Sequence, residues 1–147
     1  QLGITIKSPR EMDLMRQAGQ IVAKTKLVVK DAIEPGINTK ELDVIAEKEI
    51  RKLGATPSFK GYKAGGNIPF PSTICVSIND EIVHGIPSNR VINDGDIISV
   101  DVGAIVEGYH GDSAFTIGVG SISNDSQLLI NSTEKALEKG ILEVKKV

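Results

Sequence analysis

Apolar residues recur at three- and four-residue steps near the start of this chain and at alternate or consecutive positions in its middle. Leu14, Met15, Ala18, Ile21, Val22, Thr25 and Val28 follow the helical period, which predicts an amphipathic helix running to about Asp31. Its start is marked by Ser8 as cap, Pro9 at the first helical position and Glu11 closing a capping box. Pro35-Gly36 breaks the pattern, and Asn38 or Thr39 caps a second helix with Leu42, Ile45, Ala46, Ile50 and Leu53 as its buried stripe and Gly54 beyond its end. From Ala55 the period changes. Residues 61–72 are rich in Gly and Pro and read as irregular backbone. A strand is predicted at 73–78, then a turn at 79–81, then two runs at 97–106 and 109–119. Glu107-Gly108 between those runs suits a two-residue hairpin turn, since Gly accepts the positive φ such turns need. From Ser126 the helical period returns at Leu129, Ile130, Thr133, Leu137 and Ile141 and is expected to run to Val147 with no clear cap, as at a cut in a linker. Helices, then antiparallel strands, then a helix argue for the α+β class, with an antiparallel sheet and covering helices.

Composition narrows the chemistry. With 147 residues the chain suits one domain with its own core. A net charge of −2 without a basic block points away from phosphate backbones and anionic membrane surfaces. Aromatics at 3% and the absence of Trp leave no stacking platform for single-stranded nucleic acid. No apolar run reaches the roughly 18 residues of a membrane span, and no secretory leader is recognisable. The single cysteine, Cys75, fits a reducing compartment, so a cytoplasmic location is expected.

The hairpin carries two aspartates inside its apolar runs, Asp101 and Asp112. A buried carboxylate is costly unless paired, hydrogen-bonded or bound to metal. With a two-residue turn, facing residues sum to 215, so Asp101 faces Ala114 and Asp112 faces Gly103. Both carboxylates then share one face as diagonal neighbours about 7–8 Å apart at Cα. They can converge on one ion, or on two ions about 3.5–4 Å apart. Gly103 and Ala114 are expected to leave room. Strand aspartates are more often edge or solvated residues, and a one-residue slip would separate the two. His110 shares the face of Asp112, and His84 follows an apolar pair; spacing does not rank these two imidazoles.

The stretch SINDEIVHGIPS followed by DGDIISVDVGAIVEGYHGDSAFTIGVG closely resembles the methionine aminopeptidases, and SPREMDLMRQAGQIVAKT resembles their N-terminal segment. The likeness covers nearly the whole chain from about Ile4 and is to the type I branch. It implies half of a pita-bread fold, built of two pseudo-symmetric halves, and removal of the initiator methionine from new proteins when the second residue is small. By position it implies that Asp101 and Asp112 are metal ligands, Asp112 bridging. His84 would hydrogen-bond substrate, and His110 would not be a ligand. Cys75 and Phe70, with Tyr62, would line the methionine pocket, and the backbone of Asn79 would help hold a monovalent cation. The cofactors implied are two divalent ions (Co²⁺, Mn²⁺, Fe²⁺ or Zn²⁺) and one monovalent cation; the partner is a peptide or nascent-protein N-terminus.

The resemblance also implies five protein ligands, two aspartates, one histidine and two glutamates, of which the last three belong to a C-terminal half. The chain therefore reads as the N-terminal half of one catalytic domain, with two carboxylates of a larger set. It is expected to pair with a complementary chain or with itself, and to be inactive alone. Competing readings are an X-Pro aminopeptidase or prolidase, which carry a large additional N-terminal domain, and a non-catalytic binding protein on the same fold, whose members have lost ligands whereas Asp101, Asp112 and His84 are all kept here.

Overall fold

The computed structural model describes residues 3, 5–63 and 67–144; Ile4 and the last residues of the final predicted helix, 145–147, lie outside them. The chain runs α1 (Pro9–Ala32), α2 (Thr39–Lys52), β1 (Thr56–Pro57), β2 (Ile74–Ile78), β3 (Ile97–Val106), β4 (Tyr109–Gly118) and α3 (Asn124–Glu143). The expected capping box forms at α1, and a second, not foreseen, forms at α2. Ser8 and Glu11 exchange bonds at α1, and Asn38, rather than Thr39, does so with Glu41 at α2.

β3 is the spine of the sheet. β4 pairs antiparallel with it from end to end, while β2 and β1 share its other edge. The hairpin closes at Glu107 (φ 47) and Gly108 (φ 85), both left-handed, as a type I′ turn requires. Strand pleating sends Ile98, Val100, Val102 and Ala104 to one face, where they are fully buried with Ile74, Val76 and Ile78 of β2. α1 and α2 cover that face: Val22 and Val29 of α1 and Leu42, Ala46 and Ile50 of α2 complete the core. α1 lies so close to β4 that a Cβ on Gly111 would stand 2.6 Å from the Ala18 carbonyl carbon.

Three expectations need correction. Val29, not Val28, completes the buried stripe of α1, and Met15 and Val28 are exposed, because α1 is rolled to set Ala18 against Gly111. In α2, Ile45 and Leu53 are only half-buried. The last helix starts at Asn124 behind the cap Ser123 and ends at Glu143, with Val144 in extended backbone. It buries no side chain: Leu128, Leu129, Leu137, Ile141 and Leu142 are all exposed. Among the described residues no helix is long and apolar enough to cross a membrane.

Candidate metal centre

The face of the hairpin opposite the buried one that α1 and α2 cover carries the charged chemistry. Asp101 pairs with Ala114 and Gly103 with Asp112, the register expected from a two-residue turn, so both carboxylates stand on one face. Asp101 is half-buried and Asp112 exposed. Burial pushes the Asp101 carboxyl above the usual carboxylate range, and the neighbouring negative charge of Asp112 and a hydrogen bond shared with it push the same way. The Val102 N–H and the His84 charge oppose that rise. The two like charges repel each other across the pair. A divalent cation would relieve the same repulsion, and two hard oxygen donors suit Mg²⁺-to-Zn²⁺-type ions. The pair thus fits part of a metal site; among the described residues no third His, Cys, Asp or Glu joins it.

Cys75 stands opposite Asp101 across the β2–β3 pairing and is buried. Burial raises its thiol to about 11, helped by the charges of Asp101, Asp112 and Asp43, so it stays protonated at neutral pH and acts as soft apolar surface. Phe70 is half-buried and Tyr62 is 64% exposed. Gly61 N–H donates to Phe70 O (2.9 Å) and Phe70 N–H to Tyr62 O (2.8 Å), which closes the neck of that loop.

Phe59 was not foreseen. A Cβ at Gly103 would lie 2.6 Å from Phe59 Cε1 and 2.7 Å from Ser58 Cβ, so the space beside Asp112 is filled by an aromatic ring rather than left open. The signal was there: a glycine inside a strand marks close approach by another group. His110 places Nδ1 2.5 Å from Ser58 Oγ, in a hydrogen bond.

His84 sits in left-handed backbone (φ 60) and is exposed. The turn is clipped to the edge of β2: Val76 N–H donates to Gly85 O (2.9 Å) and Gly85 N–H to Ser77 Oγ (3.2 Å). Only glycine fits at 85, where a Cβ would be 2.1 Å from Val76 O. Asn79 is also left-handed (φ 57); its side chain donates to Asp96 Oδ1 (2.8 Å) and accepts from Ile97 N–H (3.0 Å). Both side-chain polar atoms are thus occupied within the turn.

The profile of metallopeptidase family M24 matches residues 13–146. The chain belongs to that family. It is 56% identical over 142 residues to methionine aminopeptidase 1 of Bacillus subtilis, covering 97% of this chain and 55% of the relative, and 44% identical to the methionine aminopeptidase of Aquifex aeolicus, covering 95% and 55%. The chain thus spans about half the length of these curated relatives. Among solved structures, the Thermotoga maritima methionine aminopeptidase superposes with a TM-score of 0.91 at 39% identity, covering 97% of this chain and 56% of that one. The Xaa-Pro dipeptidase of Bacillus anthracis reaches 0.70 at 30% identity, covering 83% and 32%. The fold is α+β of the pita-bread type, and M24 membership implies use of divalent metal.

Proposed function

We propose that this chain is the N-terminal half of a methionine aminopeptidase catalytic domain, acting in the cytoplasm on peptide and nascent-protein N-termini with a small second residue. The observation that carries the reading is the Asp101–Asp112 pair on one face with the Cys75 thiol directly across from Asp101. Asp101 and Asp112 would hold divalent metal (Co²⁺, Mn²⁺, Fe²⁺ or Zn²⁺), completed by ligands from the other half. When bound, such ions supply Lewis acidity at the scissile carbonyl and acidify water. His84, held by the Gly85 clip, donates a hydrogen bond to the substrate carbonyl and so favours charge developing on its oxygen. Cys75, Phe59 and Phe70, with Tyr62 at the rim, offer the polarisable, apolar surface that an unbranched thioether prefers. Because the Asn79 side chain is occupied, contact with a monovalent cation falls to its backbone.

An X-Pro peptidase reading is less well supported, since the Xaa-Pro dipeptidase aligns with less of the chain and at a lower TM-score. The test is Met-Ala-Ser against X-Pro peptides, with the full-length enzyme and added Mn²⁺ or Co²⁺. Methionine release is expected, and Asp101→Asn or Asp112→Asn should cut kcat/KM by more than the roughly 10- to 100-fold seen when only a ligand's hydrogen-bond partner is lost. Turnover of X-Pro peptides instead would overturn it.

The second reading is a half-domain, inactive alone, that assembles with a complementary chain or with itself. It is favoured by the exposed apolar stripe of α3. Clear turnover by the 147-residue chain at monomeric mass would remove it.

A further inference from the structure

The loop that carries the pocket residues is moored at both ends to one face of α2. Asp43 Oδ1 accepts the N–H groups of Thr73 (2.7 Å) and Ile74 (3.0 Å), where the chain enters β2 just before Cys75. Four residues on, and so one turn along the same face, Glu47 Oε2 accepts from Lys60 Nζ (2.7 Å). Lys60 lies between Phe59 and the neck formed by Gly61, Tyr62 and Phe70. The two moorings therefore bracket the segment bearing Tyr62 and Phe70, with Phe59 immediately before it and Cys75 immediately after it.

The two moorings differ in weight. Asp43 is half-buried, and burial raises its carboxyl above the usual range against the two N–H bonds that lower it. Thr73 and Ile74 are fully buried, so without Asp43 both amides lose a partner that only one doubly accepting oxygen supplies. Glu47–Lys60 is more exposed and is shared with Arg51, so its hold is weaker.

We infer that Asp43, assisted by Glu47 and Lys60, is a positioning residue for recognition of the substrate's first side chain, touching neither substrate nor metal. The inference rests on the aminopeptidase reading above. Asp101 and Asp112 stand on β3 and β4, which pair with each other along their full length independently of this loop. Loosening the mooring therefore displaces pocket walls while leaving the carboxylate pair in register, so substrate binding and side-chain selectivity change and the chemical step does not.

The test uses the full-length, metal-loaded enzyme with Met-Ala-Ser and Leu-Ala-Ser. Asp43→Ala is expected to raise KM for the methionyl peptide about tenfold, the scale of one lost pocket contact, with kcat unchanged to within about twofold. The preference for Met over Leu should fall alongside. Asp43→Asn, which keeps an oxygen able to accept both amides, should recover most of the loss. Lys60→Ala should shift KM the same way by a smaller factor, and being at the surface it keeps the test open if Asp43→Ala does not fold. Hydrogen exchange at the Thr73 and Ile74 amides should quicken in Asp43→Ala, with the amides of Asp101 and Val102 unmoved. If the wild-type enzyme cleaves no methionyl peptide, the functional reading falls and this inference with it. If wild type is active and the variants change kcat, or all substrates equally, the positioning role alone is overturned.

Discussion

α1 and α3 are built to the same plan and meet different fates. Each starts at a serine cap, Ser8 and Ser123, and each places a leucine six residues later, Leu14 and Leu129. Fourteen residues past the caps stand Val22 and Leu137, again apolar in both helices. Yet Leu14 is 9% exposed and Leu129 60%, and α1 buries a full stripe where α3 buries nothing. The difference lies in the partner. α1 lies on a strand pair whose Gly111 admits its backbone, whereas α3 reaches the rest of the fold chiefly at β4. Amphipathic periodicity specifies a face that wants cover; it does not specify that the cover is present.

The comparison breaks most sharply at Gly111. Val at that position must push its Cβ into the Ala18–Gly19 backbone, which cannot yield as a flexible side chain would. Gly111→Val should cost about 3–5 kcal/mol in chemical denaturation, as severe overpacking does. A loss below about 1 kcal/mol would mean that α1 is not locked to β4. The matched leucines give the next largest effect. Leu14→Ala should cost about 2–4 kcal/mol and Leu129→Ala no more than about 0.5 kcal/mol at low protein concentration. An effect of Leu129→Ala that grows with protein concentration would show a second copy covering α3.

The contrast also explains what could be read in advance. Local chemistry was legible: the Ser8–Glu11 box, a cap at Asn38 or Thr39 and the Glu107-Gly108 turn each carry their own instructions within a few residues. The turn then sets the register of the whole hairpin, which is why Asp101 and Asp112 could be placed on one face. What depends on distant packing was not legible. The choice of Val29 over Val28 follows from the roll of α1 on Gly111, and the ring of Phe59 over Gly103 joins residues far apart in sequence. Asp43 gave no sequence signal, because its partners are backbone amides thirty residues on, and amides leave no mark in a residue pattern.

The smallest effect separates the two caps by pH. Glu11 accepts the Ser8 N–H (2.7 Å) and the Tyr109 hydroxyl (2.8 Å), which hold its carboxyl at about 2 against an ordinary 4.5. The equivalent third position of α3 is Ser126, which does not titrate. The folded-state value of Glu11 is the lower one, so between about 4.5 and 2 the unfolded chain binds the extra proton and falling pH favours unfolding. Denaturation midpoints of wild type and Glu11→Gln should therefore differ most above pH 4.5 and draw together as pH falls through that window. Ser123→Ala should lower stability by about 1 kcal/mol or less, by the same amount at every pH. A Glu11→Gln gap that stays constant from pH 7 to 2 would mean that the α1 cap works through shape alone. The hairpin would then be tied to the helix start by the Tyr109 hydroxyl without help from the carboxylate's charge.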